Sequence, residues 1–172
     1  MSAPAALTGL REVRDADSAA LIDLIGTTWA EYPGVYLQID AEEPWLRAPA
    51  TYYAKAGAGA RMWVVDDPDR GALAACVGMR PVSAAAVELK SLYVAAWARR
   101  RGLGAALVGL VERSAVELGA HRIELWSDTR FADAHHLYAR LGYTRRGSRE
   151  LHDLSETTEY GFTRDLDIDR MS

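Results

Sequence analysis

The sequence predicts an α/β fold of the α+β kind, a mixed sheet with helices on both faces, and three observations lead there. Hydrophobic periodicity along the chain gives the element order β-α-α-β-β-β-α-β-α-β-β. Two of the helical patterns stop at a glycine, Gly119 and Gly142, the residue that most readily closes a helix. Hydrophobic residues are 49% and charged residues 26% of the 172, enough apolar material for a packed core in a single domain spanning 1–172.

Leu10-Arg-Glu-Val-Arg14 alternates apolar and polar positions and reads as a short opening strand. Asp15 to Ser18 offer helix-start chemistry, and Ala19 to Trp29 is amphipathic, ending near Tyr32-Pro33-Gly34. A second helix is expected from about Pro44 to Lys55, stopped by the glycine-rich 56–60. Met62 to Asp66 and Gly71 to Met79 surround an Asp-Pro-Asp-Arg-Gly turn and form a hairpin. Val87 to Val94 is strand-like, and strict alternation puts Glu88, Lys90, Leu92 and Val94 on one face. Leu103 to Leu118 is helical, Ile123 to Trp126 a short strand, and Asp133 to Leu141 a helix. Thr144 to Leu151 and Thr158 to Leu166 are the last two strands.

Several function classes are disfavoured. No apolar run approaches the roughly 18–20 residues that span a bilayer, and the start of the chain lacks the pattern of a secretory signal. The single Cys76, in an apolar strand, fits a reducing cytoplasm and a buried thiol that makes a poor nucleophile. A net charge of −4 argues against a nucleic-acid partner. No metal site is expected, because His135 and His136 are adjacent and point about 100° apart on a helix, while His121 and His152 stand alone.

The most informative segment runs from Val94 to Leu107. A strand ends, a loop carrying Arg99, Arg100 and Arg101 follows, and a helix begins at about Leu103. Gly102 and Gly104 let backbone N–H groups approach a ligand, and those groups sit at a helix N-terminus, where unpaired donors and the macrodipole favour an anion. A pyrophosphate suits this loop. A Rossmann dinucleotide fingerprint does not, since Leu107 stands at the third glycine position and seven residues separate Val94 from Gly102. Taken alone, the segment is equally consistent with a basic surface loop.

Context goes further. The run Arg99-Arg-Arg-Gly-Leu-Gly104 resembles the R/Q-x-x-G-x-G/A loop of the GNAT superfamily of N-acetyltransferases. Lys90-Ser-Leu-Tyr-Val94 is similar to that family's central strand, and His135 to Tyr143 to its L-Y-x-x-x-G-F/Y helix end, with 34 residues from Gly104 to Tyr138. The resemblance covers about residues 10–166 and implies a GNAT-like fold in which two parallel strands splay apart, here 87–94 and 123–126. It implies acetyl-CoA as co-substrate and direct attack by an amine, without a covalent enzyme intermediate. Leu92, Tyr93 and Val94 would meet the pantetheine arm, and Arg99 to Gly104, with Ala105, the pyrophosphate. A backbone N–H near Leu92 would face the developing oxyanion.

The same resemblance makes Tyr138 the candidate general acid for the leaving thiolate; the alternative is a core tyrosine at the helix–sheet junction. Glu88 is the candidate base, with a salt-bridged carboxylate, paired with Lys90, as the equal alternative. Glu124 is a second candidate, and a water chain a third route. Phe131 departs from the family, which commonly has asparagine seven residues before the tyrosine; Asp128 or Arg130 then contacts the coenzyme, or the interaction is missing. Arg130 is also free to pair with Asp133.

The acceptor is expected against the first helices and the last strand pair. Trp29, Tyr32, Tyr36 and Trp45, with Glu31 and the acidic group Asp40, Glu42 and Glu43, suit an ammonium-bearing small molecule. Rival readings are a non-catalytic acyl-CoA sensor and a protein or peptide amine acetyltransferase. Homodimers are frequent in the resembling family.

Overall fold

The computed structural model describes residues 7–171. Seven strands form one sheet in the order β1-β2-β3-β4-β5-β7-β6. They are β1 (Leu10–Glu12), β2 (Arg61–Asp67), β3 (Ala72–Pro81), β4 (Ala86–Val94), β5 (Arg122–Asp128), β6 (Thr144–Glu150) and β7 (Thr158–Asp165). Every neighbouring pair is antiparallel except β4 and β5, which run parallel. The helices are α1 (Ser18–Trp29), α2 (Ile39–Glu42), α3 (Pro49–Lys55), α4 (Leu103–Glu117), α5 (Ala132–Arg140) and α6 (Ile168–Met171). The mixed α/β class, the hairpin and the two glycine-closed helices agree with the sequence reading.

Two differences have local causes. The helix expected at 44–55 is broken into a 3₁₀ turn, Pro44–Arg47, and α3. Pro49 forces this break, since the residue before a proline is excluded from helical backbone; Ala48 is accordingly extended, at φ −148° and ψ 72°. The short α2 and the turn Ala96–Ala98 have too few residues to show a period in the sequence.

The second difference concerns β4. Cys76 faces Tyr93 and Gly78 faces Lys90, so Ser91 and Leu92 together oppose a single residue of β3. Ser91 accommodates this bulge at a left-handed φ of +51°. The extra residue inverts the alternation: Glu88, Lys90 and Tyr93 share one face, and Leu92 and Val94 lie on the other. The face expected for Leu92 and Val94 is therefore corrected.

This inversion also shows how the layers sit. The Tyr93 hydroxyl accepts a hydrogen bond from Trp29 Nε1 of α1 at 3.0 Å, whereas a Val94 methyl lies 4.0 Å from the Cβ position of Gly104 in α4. Successive strand residues point to opposite faces, so α1 and α4 cover opposite sides of the sheet. Tyr53 of α3 packs where Gly78 lacks a side chain, on the α1 face. The core between the layers includes Leu21, Ile25, Met62, Val77, Leu107 and Ile123, all essentially inaccessible. Cys76 is equally buried; burial pushes its thiol up to about 12, which removes it as a nucleophile.

Candidate active site

The parallel pair β4–β5 is joined over three positions only, Ala86–Arg122, Val87–Ile123 and Glu88–Glu124. Past Glu88 the strands part. The β5-facing backbone of Leu89 to Val94 has no strand partner, and unpaired peptide groups are donors and acceptors for an added chain. A cavity of about 350 Å³ opens along this split, a volume within the range of small-ligand sites. Its walls include Leu92, Tyr93, Ser127, Phe131 and Tyr138.

At the end of β4 the chain turns through Ala96–Ala98 and enters α4 at Gly102, whose φ of +76° only glycine adopts without strain. Arg100, at φ +62°, is strained into the same region. The first turn of α4 has no acidic residue, and the amides of Leu103, Gly104 and Ala105 lack intrahelical partners. Gly104 has a second reason to be small: a Cβ there would lie 3.1 Å from Leu137 of α5. Arg100 and Arg101 are exposed, Arg101 bonded only to the Trp97 carbonyl at 3.3 Å. Arg99 differs. Its guanidinium bonds the Val94 carbonyl at 3.1 Å and pairs with Glu31 at 2.8 Å at the surface, so it braces the loop against the end of α1.

Tyr138 lies on α5 with 4% of its surface exposed, packed on Tyr143 and Phe162. Its hydroxyl bonds to no described residue and faces the cavity, and burial raises its pKa well above the ordinary tyrosine range. The side chain is thus a core ring that also lines the cavity.

Glu88 also lines the cavity, but in ion pairs: Oε2 takes two bonds of 3.0 Å from Arg80, and Oε1 lies 3.7 Å from Lys90. Glu88 is thus a salt-bridged carboxylate that also lines the cavity. Glu124 is half-buried beside it and is not part of the cavity wall. Phe131 stacks on Tyr32 with ring centres 4.7 Å apart. Asp128 and Arg130 do not replace the missing asparagine with free groups. They pair with each other at 2.8 Å, and Arg130 also bonds the carbonyls of Gly34 and Ser155, both at 3.2 Å. Asp133 is not its partner.

These bonds tie two loops together over the cavity. Tyr36 N–H donates to Ser155 Oγ at 2.8 Å, and Leu154 N–H donates to Glu42 at 2.8 Å. Sequence reasoning missed the clasp because its members are 112 and 119 residues apart in the chain. It also missed Ser127, buried on β5 and 3.1 Å from His135 Nε2. His135 has its pKa lowered, chiefly by burial, which favours the neutral ring. Among the described residues no three of His, Cys, Asp and Glu converge as metal ligands, and no helix is long and apolar enough to cross a membrane.

The split sheet and the glycine-entered helix at its mouth define an acyltransferase architecture, and comparison with known proteins agrees. Residues 23–143 match the family described as the acetyltransferase (GNAT) family. The chain belongs to that family and is an acyl-CoA-dependent acetyltransferase. Among solved structures, a GNAT acetyltransferase from Staphylococcus aureus Mu50 aligns with a TM-score of 0.76 at 17% identity, covering 92% of this chain and 98% of that one. An aminoglycoside 6'-N-acetyltransferase complexed with coenzyme A aligns at 0.67 and 18% identity, covering 92% and 97%. A Salmonella typhimurium protein, yncA, with its cofactor acetyl-CoA aligns at 0.66 and 16%, covering 92% and 93%. No curated protein sequence gives a significant match.

Proposed function

We propose that this acetyltransferase acts on a primary amine of a small molecule, by direct attack within a ternary complex. The observation that carries the reading is the partly open cavity, walled by parted β4 and β5 and bordered by the loop clasp. A clasp bordering a volume of about 350 Å³ suits a compact acceptor better than an extended polypeptide. The aminoglycoside acetyltransferase among the structural neighbours is consistent with this.

Acetyl-CoA supplies the acetyl thioester. The amides of Leu103, Gly104 and Ala105, with Arg100 and Arg101, hold its pyrophosphate, because the helix N-terminus and both guanidinium groups present positive charge there. The unpaired edge of β4 at Leu92 to Val94 hydrogen-bonds the amide-bearing arm and holds one N–H toward the developing oxyanion. Tyr138 keeps its proton across the working pH range and delivers it to the departing sulfur. Glu88 accepts the proton that the ammonium must lose before its nitrogen has a lone pair, with water as the intermediary.

The test is thiol release from acetyl-CoA in the presence of amino acids, polyamines, aminoglycosides or lysine peptides. Turnover with one small amine class supports the reading. Turnover with peptides alone sinks the small-molecule acceptor, and tight acetyl-CoA binding without any turnover sinks catalysis in favour of a sensor.

A further inference from the structure

The acceptor wall contains more carboxylates than cations, but nearly all of them are already engaged. Asp128 is paired with Arg130, Glu88 with Arg80 and Lys90, and Glu159 with Arg149. Glu42 accepts the Leu154 N–H and Asp153 the Thr157 N–H, each at 2.8 Å. Glu42, Asp153 and Glu43 have no ion pair with any described residue, but Glu42 and Asp153 accept backbone N–H groups of the 154–157 segment. Glu43, half-buried in the cavity wall, accepts instead from a side chain, Trp45 Nε1. Lys90, the cation that acts on it electrostatically, is already held by Glu88.

The aromatic faces divide in the same way. Trp126 is covered by the guanidinium of Arg149, 4.3 Å from the ring centre. Trp45 and Tyr52, whose ring centres are 6.1 Å apart beside Glu43, carry no cation among the described residues. Both rings also pack on Tyr53, yet a carboxylate lacking a counter-ion beside aromatic rings that no described cation covers is an arrangement that a cation completes. Tyr138 lines the same cavity with a hydroxyl that bonds to no described residue and is not sealed in the core.

We infer that Glu43, with Trp45 and Tyr52, is the subsite that binds the acceptor's ammonium group. The inference rests on the transferase reading and deepens it: the acceptor arrives as a cation and is selected by charge before acetylation. Burial raises the pKa of Glu43 above the ordinary glutamate range; Glu42 and Glu159 push the same way, and the Trp45 bond and Lys90 oppose it. Since only the carboxylate form holds an ammonium, affinity is full between this raised value and the amine pKa of about 10, and is lost as pH falls through the raised value. The loss therefore begins at a higher pH than for a solvated glutamate, whose pKa is about 4.3.

The test uses n-butylammonium as probe and n-pentanol as its neutral counterpart, with the Trp45 indole N–H as NMR reporter. Butylammonium is expected to shift that resonance saturably at pH 8, and pentanol is not. In Glu43→Gln, whose amide oxygen still accepts from Trp45, butylammonium affinity should fall at least about tenfold, with Glu43→Asp between the two. In turnover the same variant should raise the amine KM by a similar factor and leave kcat within about threefold. Butylammonium binding to Glu43→Gln within twofold of wild type overturns the subsite. The transferase reading is judged separately, by acetyl-CoA binding and thiol release in the wild type. An ammonium that binds at Glu43 without any turnover leaves the subsite standing and removes the reaction.

Discussion

At the scale of single residues, the proposed acid Tyr138 and the proposed base Glu88 differ in how firmly the protein holds them. The Tyr138 hydroxyl has no protein partner, so Tyr138→Phe removes no hydrogen bond and should leave the melting temperature within about 1 °C. Its kcat should fall at least about tenfold, with acetyl-CoA affinity unchanged, because only the proton for sulfur is lost. Glu88→Gln is expected to cut kcat at neutral pH by about 10²-fold. That loss should shrink by roughly tenfold per pH unit toward the amine pKa of about 10, as solvent supplies the free amine. A Glu88→Gln profile parallel to wild type would instead mark Glu88 as a structural partner of Arg80 and Lys90. Tyr138 was legible from its motif spacing. The pairing of Glu88 was half legible: Lys90 two residues along was visible, whereas Arg80 reaches it only through the β3–β4 register.

At the scale of elements, the passage from β4 into α4 holds two jobs in one glycine. Gly104 gives Leu137 room to pack and, in the proposed function, frees backbone for an anion. Gly104→Val should lower stability by about 1–3 kcal/mol through overpacking. It should also weaken acetyl-CoA binding, measured by calorimetry, by more than the stability loss explains. Wild-type affinity in a folded Gly104→Val protein would dismiss the loop as the pyrophosphate site. The bulge at Ser91 marks where pattern reading fails. Strict alternation along β4 is the default expectation, and nothing in Lys90-Ser-Leu-Tyr-Val94 announces an extra residue. Only pairing with Cys76 and Gly78 shows that two residues face one. The break at Pro49 was in principle readable, since proline constrains the residue before it.

At the scale of the whole molecule, the β1 edge of the sheet is held by charges. Arg11 of β1 bonds both oxygens of Asp17, each at 2.8 Å, and also reaches Asp66 of β2. Asp17 is buried, and these bonds, Arg11 foremost, lower its pKa against the opposing effect of burial. A depressed carboxylate pKa contributes stability that is complete above the unfolded value of about 3.9 and is lost as pH falls through the lower folded value. Asp17→Asn should therefore cost about 1–3 kcal/mol near pH 7 and progressively less below pH 4, measured by urea denaturation. A cost that does not change with pH would show that packing, not charge, holds Asp17.

The sequence by itself determined the element order and the family, because each is written in short-range spacing: period, cap and the run from Arg99 to Gly104. Local backbone chemistry acts over a few residues and is readable there. The tertiary structure alone decided the inverted face of β4, the bracing role of Arg99, the clasp between the 34–42 and 151–157 segments and the unmatched charge of Glu43. Those depend on which side chains meet after distant segments pack, and partners 68 or 119 residues apart leave no trace in the local pattern. A carboxylate is a ligand or a brace according to whether a cation reaches it, and that is a property of the assembled cavity.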